Sequence, residues 1–173
     1  MKGAIVNCLK EMIVFKFGQQ EWEEIMIASG LQPNKIIMAT NDFDDEQVVA
    51  MVQNSCKVLN QSLEQVADYF GEFWMTSYAV SVYKPYFGTT ATAKEFMIKL
   101  NDIHVKVTKY VPNAHPPKFE YEWKDDNMLI LTYISQRGLI DFVVGLAKGV
   151  GIYFNQKLSV RKISSTRVEI LFL

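Results

Sequence analysis

The chain has 173 residues, of which 49% are hydrophobic and 21% charged, and this composition suits one globular domain with a sizeable core. A formal net charge of −1 excludes a broad electrostatic interface for nucleic acid or for an anionic membrane. Cys8 and Cys56 form no CxxC pair, and no apolar run approaches the ~20 residues that span a bilayer. We therefore expect a soluble, cytoplasmic protein with reduced thiols.

The first two thirds of the chain have helical periodicity. The apolar spacing predicts five helices: residues 2–17, residues 21–29, a helix from the acidic cluster Asn41–Asp45 to about 59, a helix from 62 to about 78, and residues 92–111. The third of these follows the acidic cluster Asn41–Asp45, whose carboxylates suit the positive end of a helix. This cluster lacks the glycine and the terminal glutamate of a calcium-binding EF-hand loop. Capping boxes at Ser62–Gln65 and Thr92–Glu95 mark the starts of the last two helices.

After Pro116-Pro117 the period changes from helical to alternating. The alternation predicts strands at 118–123, 128–137, 157–163 and 166–173, with a helix at 139–154 between the two pairs. The fold class is therefore α+β, in which a helical N-terminal subdomain packs on a ββαββ subdomain with a four-stranded antiparallel sheet.

Tyr133, Ser135 and Arg137 alternate at the end of the predicted strand 128–137. Alternate side chains of a strand share one face, so we expect the phenol, the hydroxyl and the guanidinium to converge on one patch. Arg137 would bind a carboxylate or a phosphate bidentately, and the two hydroxyls would supply further hydrogen bonds. Taken alone, the motif also fits an ordinary solvated strand end.

His104 is one of two histidines in the chain. The predicted helix 92–111 places it on a face whose other members are apolar: Phe96, Met97, Leu100, Val107 and Val111. A lone histidine in that setting is most often a structural residue. It also meets the need of a haem iron, which takes one neutral imidazole nitrogen in an apolar, flat pocket. His115, in a loop beside Pro116, is expected to be exposed.

These two weak signals combine into one hypothesis, because a haem offers both an iron and an edge with two propionate carboxylates. His104 would supply the axial ligand, and the trio around Arg137 would hold the propionates. Aromatic residues, which make up 13% of the chain, would line the macrocycle. The rival from a different class is a haem-free α+β module that binds a lipid or another carboxylate through Arg137. A haem peroxidase is a third alternative, but the sequence offers no distal acid–base histidine.

The chain resembles the H-NOX family at these residues. The members of this family are haem domains that bind nitric oxide or oxygen and are related to the sensor domain of soluble guanylate cyclase. The resemblance covers essentially the whole chain and fits the standalone bacterial type. It rests on Met1–Val6, Leu100–His104, Pro116-Pro117 and Tyr133-x-Ser135-x-Arg137. It implies a single domain of residues 1–173, with haem between a distal helical part of about 1–60 and a haem-holding part of about 61–173.

The resemblance also implies the roles of particular residues. His104 is similar to the proximal ligand to the iron of haem b, and Tyr133, Ser135 and Arg137 match the residues that hold the propionates. Pro117 matches a proline that packs on a pyrrole and helps to bend the porphyrin. Further residues expected to contact or face the haem are Ile5, Trp74, Tyr78, Leu100, Phe142 and Leu146.

Phe142 decides between the gaseous ligands. Oxygen-binding members of the family carry a distal tyrosine at this position, which donates a hydrogen bond to bound oxygen. A phenylalanine cannot donate, so the resemblance implies nitric oxide as the ligand, with carbon monoxide as a further one. Oxygen remains the alternative if the indole N–H of Trp74 or the hydroxyl of Tyr78 points into the pocket.

The implied activity is a switch and not a catalysed reaction. Nitric oxide would weaken the iron–His104 bond, the haem would relax, and the two parts of the chain would shift against each other. The partner implied by standalone bacterial members is a separate histidine kinase or a cyclic-di-GMP enzyme. No nucleophile–histidine motif, phosphate-binding glycine loop or zinc-site spacing suggests an enzyme.

Overall fold

The computed structural model describes residues 1–173, and its mixture of helices with one antiparallel sheet confirms the α+β prediction. The helices are α1 Gly3–Lys16, α2 Gln19–Ala28, α3 Asp45–Val58, α4 Leu63–Phe73, α5 Ala79–Val82, α6 Lys84–Phe87, α7 Ala93–Ile98, α8 Leu100–Thr108 and α9 Ile140–Tyr153. The strands are β1 Lys118–Trp123, β2 Met128–Ile134, β3 Leu158–Lys162 and β4 Arg167–Phe172. None of the helices combines the length and the apolar character needed to cross a membrane.

Helix α4 begins with the capping box that its sequence predicts. The Ser62 hydroxyl accepts from the Gln65 backbone N–H at 3.1 Å, and the Gln65 side chain accepts from the Ser62 N–H at 2.8 Å. The helix does not continue regularly to residue 78, however. It passes into a π-helical turn, Trp74–Tyr78, and then into α5.

The prediction of a single helix over 92–111 is wrong, because the structure divides this range into α7 and α8. At Lys99 the backbone N–H is shared between the carbonyls of Glu95 and Phe96, at 3.3 and 3.2 Å. This tightening turns the chain before α8 begins and gives His104 a separate helix of nine residues. The capping box at Thr92 is also only half formed, since Glu95 accepts from the Ala91 N–H and not from that of Thr92.

Helices α4 and α9 cross with their backbones in contact. A Cβ atom built on Gly71 would lie 2.0 Å from the carbonyl carbon of Gly145, and one on Gly149 would lie 2.2 Å from the carbonyl oxygen of Gly71. No side chain larger than hydrogen fits at these positions. Lys148 on α9 adds an ion pair with Asp68 on α4 at 2.7 Å.

The four strands form one antiparallel sheet in the order β1-β2-β4-β3. Strand β2 lies in the interior and pairs along Lys118–Trp123 on one side and Arg167–Leu171 on the other. It ends at Ile134, three residues earlier than predicted, and Gln136 and Arg137 lie in a turn. Alternation along the strand therefore does not extend to Ser135 and Arg137.

The buried apolar residues form two clusters. The first core cluster is built from α1, α2 and α3 and includes Ala67, Phe70, Tyr78 and Phe142 from later in the chain. The second core cluster is built on the sheet, α7 and α9 and includes Met97, Phe119 and Tyr133. Trp74 packs against both clusters, so the region around this residue is the boundary between them.

Candidate functional site

His104 lies on α8 with its imidazole largely enclosed by the chain. Its Nδ1 atom is 3.2 Å from the carbonyl oxygen of Pro117, and because a carbonyl only accepts, Nδ1 carries the proton of the neutral ring. Nε2 then keeps its lone pair. Burial lowers the pKa of His104 below its ordinary value of 6.5, although the bond to Pro117 opposes this shift. The neutral ring and the backbone carbonyl at Nδ1 are the usual state of a metal-ligating histidine.

Pro117, Ser135 and Arg137 line one open cavity of about 230 Å³. The other residues of its wall are Asp45, His115, Pro116, Ile134 and Gln136. Since Pro117 also accepts the hydrogen bond from His104, the structure brings the candidate iron ligand and two of the three candidate propionate residues to one place.

Arg137 is held by two contacts across the chain. Its Nε donates to Asp45 Oδ2 and its Nη1 donates to the carbonyl of His115, both at 2.7 Å. Nη2 makes no hydrogen bond within the chain, so the guanidinium keeps donors for an anion in the cavity. The ring of His115 is exposed, as the sequence predicts.

Asp45 is a site residue that the sequence did not reveal. At the start of α3 it pairs with Arg137 and also accepts from the Met1 amine at 2.7 Å. Burial alone would raise the pKa of Asp45, but these two bonds outweigh it and hold the pKa below 3.8. The acidic cluster was expected to cap the helix; the N-cap residue Asp44 makes no side-chain cap bond, and Asp45 makes ion pairs instead.

The prediction that Tyr133, Ser135 and Arg137 share one strand face is wrong, because β2 ends at Ile134, and only Ser135 and Arg137 line the cavity. Tyr133 is 5% exposed and belongs to the second core cluster, because it precedes the end of β2 while the other two follow it. Its ring centroid lies 6.1 Å from that of Phe119, which in turn lies 5.8 Å from the His104 ring. Tyr133 thus belongs to the same row of aromatic rings as His104.

The aromatic residues expected on the distal side form one group. Trp74 stacks on Phe70 at 5.7 Å and on Tyr78 at 5.4 Å, and Phe142 meets Phe70 edge to face at 5.1 Å. Ile5 and Leu146 pack on the first core cluster with this group, whereas Leu100 packs on the second core cluster. The candidate residues therefore lie along the boundary between the two core clusters, with some on each side.

Tyr78 is one of the two candidates for a distal hydrogen-bond donor, and this residue is 4% exposed. Burial raises the pKa of its phenol above 10.0, with the Asn7 side chain opposing this shift. The phenol is therefore protonated at neutral pH, and its polar neighbour is Asn7 on α1. Trp74 stacks on the rings of Phe70 and Tyr78, and this stacking does not engage its indole N–H.

Two curated relatives are soluble guanylate cyclases from Caenorhabditis elegans, gcy-34 and gcy-32. Each is 25% identical to this chain, over 165 and 154 residues that make up 92% and 87% of it. The matched residues are only 24% and 22% of the relatives, so the chain spans about a quarter of their length.

Similar solved structures extend over essentially the entire chain. A mutant H-NOX protein from S. oneidensis in the Fe(II) ligation state has a TM-score of 0.90 at 20% identity and covers 100% of this chain and 96% of that one. An unliganded Fe(II) H-NOX mutant from K. algicida has a TM-score of 0.84 at 25% identity, with coverages of 99% and 95%. An oxygen-binding H-NOX domain related to soluble guanylate cyclases has a TM-score of 0.82 at 20% identity, with the same coverages.

A family model described as haem-NO-binding matches residues 2–162, nearly the full length. This match agrees with the fold and with the histidine and anion-binding residues that the structure brings together. The chain belongs to the haem-NO-binding, or H-NOX, family of haem-binding gas-sensor domains.

Proposed function

We propose that this protein is a nitric oxide sensor that holds haem b at the boundary of its two core clusters, with His104 as the axial ligand. The observation that carries the proposal is the bond from His104 Nδ1 to the carbonyl of Pro117, which leaves Nε2 free, while Pro117 itself lines a cavity with Ser135 and Arg137. Bound haem would supply an iron that takes His104 on one side and a gas on the other.

The cavity suits the carboxylate-bearing edge of the haem. Its volume of about 230 Å³ is below the ~300–1,000 Å³ of whole small-molecule sites, so it would take one edge and not the full macrocycle. Arg137 would donate to a propionate through Nη2, and Ser135 and Tyr133 would add hydroxyl donors. Pro117, Leu100, Ile5 and Leu146 would provide apolar contacts to the ring.

The haem would be held without covalent attachment. A c-type haem needs a C-x-x-C-H motif, and the two cysteines, Cys8 and Cys56, are far apart in the sequence and remote from both histidines. Cys8 is buried in α1, and burial raises its thiol pKa well above the ordinary value. These features favour haem b, held by His104 and by noncovalent contacts.

Nitric oxide is the ligand that the distal residues favour. Phe142 is 7% exposed and presents only a hydrocarbon ring, so it cannot stabilise polar bound oxygen by a hydrogen bond. Nitric oxide needs no such donor, and carbon monoxide would bind for the same reason. The Tyr78 hydroxyl has Asn7 as a neighbour, whereas Trp74 stacks through its ring faces and keeps its indole N–H, so oxygen binding through Trp74 is the alternative.

Signalling would depend on how His104 and Arg137 connect the distal helices, about residues 1–60, to the remaining residues. Arg137 reaches Asp45 on α3, so the anion-binding end of the site is tied to the distal helices. Release of His104 would let the distal helices shift against the part of the chain that holds both His104 and Arg137. We propose that a separate protein reads the change, either a histidine kinase or a cyclic-di-GMP enzyme, as the resemblance to standalone bacterial members of the family implies.

Two histidine variants test the proposal. His104→Ala should abolish five-coordinate ferrous haem, which absorption and resonance Raman spectra of the reduced protein would show. His115→Ala is the matched control, because its ring is exposed and only its backbone carbonyl contacts Arg137. This variant should keep the wild-type spectrum.

Identical spectra of wild type and His104→Ala would refute the assignment of the ligand. A purified protein that stays colourless after haem reconstitution would refute haem binding altogether and favour a carboxylate-binding module built on Arg137. Binding of a fatty acid, measured by calorimetry and lost in Arg137→Leu, would then identify that rival.

A further inference from the structure

We infer that Asn101 is a positioning residue for His104, which fixes helix α8 to strand β1. This inference rests on the proposed function, because it concerns the residue that would hold the iron. Asn101 lies three residues before His104, so the two side chains share one face of α8, one turn apart.

The Asn101 amide makes two hydrogen bonds to one residue of β1. Its Nδ2 donates to the Phe119 carbonyl at 2.7 Å, and its Oδ1 accepts from the Phe119 N–H at 2.9 Å. The side chain therefore completes the edge of the sheet as a neighbouring strand would. A carboxylate could accept from the N–H but could not donate to the carbonyl, so the two-way bond requires an amide.

The rest of α8 makes little contact with the protein. None of its residues is fully buried by the chain, and Val105 on its outer side is 67% exposed. Its polar attachments to β1 and to the segment entering β1 are Asn101 to Phe119 and His104 to Pro117. Two side chains one turn apart thus hold backbone atoms two residues apart, which sets both the position and the rotation of the helix.

The strand that receives Asn101 is itself firmly held. Phe119 pairs with Tyr133 within the continuous ladder of β1 and β2, and its ring lies between those of His104 and Tyr133. Asn101 therefore ties the position of His104 to β1, and β1 is paired with β2, the strand that precedes Ser135 and Arg137. The distance between the iron ligand and the propionate residues is fixed through this bond.

The same interface contains a built-in control. The hydroxyl of Tyr121, two residues further along β1, is buried and has no hydrogen-bond partner. Removing it as Tyr121→Phe deletes a polar atom beside the Asn101 backbone and leaves both side-chain hydrogen bonds of Asn101 to Phe119 in place. A second control is Asn54, whose amide donates to Ala28 and Ser29 at 3.0 Å in the distal helices, away from His104.

The experiment compares Asn101→Ala and Asn101→Asp with these two controls. In the haem-free protein, exchange of the Phe119 amide hydrogen, followed by NMR, should accelerate about fivefold in Asn101→Ala, as the loss of one ordinary hydrogen bond implies. Asn101→Asp keeps the acceptor and should preserve this protection. In the ferrous haem protein, the iron–histidine stretching band should broaden in both Asn101 variants and most in Asn101→Ala, because His104 would sample more orientations.

Tyr121→Phe and Asn54→Ala should leave that band unchanged, although Asn54→Ala removes a comparable amide contact. An Asn101→Ala band identical to wild type, or equal broadening in Asn54→Ala, would overturn the inference while the haem assignment stands. Absence of any iron–histidine band in the wild-type protein would instead refute the proposed function, and the positioning role with it.

Discussion

Phe142 is the residue that, under the proposed function, would set the choice of gas. Its ring meets Phe70 at 5.1 Å and is almost fully buried. We expect Phe142→Tyr to bind oxygen measurably, because the new hydroxyl can donate to the polar bound gas. Absorption spectra of the ferrous protein in air would show this, with Phe142→Leu as a control that stays without oxygen. A stable oxygen spectrum of the wild-type protein would show that Phe142 does not decide selectivity.

His104 makes the stability of the haem-free protein depend on pH. Burial depresses its folded-state pKa below 6.5, so the unfolded chain binds more protons than the folded chain as the pH falls below that value. This contribution is therefore fully present above pH 6.5 and is lost as the pH falls through the folded pKa. Denaturant unfolding at pH 7.5 and 5.5 should show a smaller loss of stability in His104→Gln than in wild type. His115→Gln should behave as wild type, and equal losses in all three proteins would contradict the prediction.

The sequence could suggest His104 and Arg137 but not what surrounds them. The apolar neighbours of His104 are local in sequence, so helical spacing is enough to single it out. Asp45 is 92 positions from Arg137, and its pairing follows from the packing of α3, which no local pattern encodes. Tyr133, Ser135 and Arg137 were assigned to one strand face because the end of β2 was placed three residues too late.

At the scale of elements, the crossing of α4 and α9 is the least tolerant contact. A Cβ on Gly71 would lie 2.0 Å from Gly145, and backbone rather than a flexible side chain would have to move. We expect Gly71→Ala to lower the free energy of unfolding by about 1–3 kcal/mol, in the range of overpacked cores. Urea denaturation would measure this.

Gly88→Ala is the matched control for that substitution. Gly88 has a φ of −71°, which alanine adopts freely, and a Cβ there would meet nothing within 4 Å. It should be neutral or stabilising by about 0.4–1 kcal/mol. If Gly71→Ala and Gly88→Ala had the same free energy of unfolding, α4 and α9 would be able to move apart at their crossing without loss of stability.

The element boundaries show where local signals end. The Ser62 capping box marks the start of α4 correctly, since both of its bonds lie within four residues. Neither the break at Lys99 nor the π-helical turn Trp74–Tyr78 contains a proline or a glycine that would indicate it in the sequence. They arise from how the helices pack on the rest of the chain, so periodicity alone merged them into longer helices.

At the scale of the whole molecule, Asp45 joins the start of α3 to Arg137 and so to the candidate propionate cavity. We expect Asp45→Asn to accelerate amide hydrogen exchange at residues 135–139 and at the start of α3, because Arg137 would keep only the His115 carbonyl. The effect on global stability should stay within about 1 kcal/mol, since Asp45 is 44% exposed. Asp44→Asn makes the same charge change without losing a side-chain cap bond and is the control. Unaltered exchange at 135–139 would show that the pair does not connect the two regions.

The order of the elements was predictable over the whole chain, but their arrangement was only partly so. Two hairpins around a helix imply the antiparallel pairs β1–β2 and β3–β4. The pairing of β2 with β4, which makes a single sheet in the order β1-β2-β4-β3, depends on contacts distant in sequence. The division of the core into two clusters, with Trp74 between them, likewise appears only when the helices are packed.

The π-helical turn at Trp74–Tyr78 makes the chain length at this point a determinant of the distal pocket. A π-helical turn holds one more residue than the α-helical turn that could replace it, and an α-helix rotates about 100° per residue. Deleting the exposed Ser77 would let this turn wind as a regular α-helix and leave α5 and Tyr83 beside Trp74, where the two rings lie 6.2 Å apart. Homologues that lack this residue would place Tyr78 three residues after Trp74 and would therefore change how these two rings stack, even if every aromatic residue were retained.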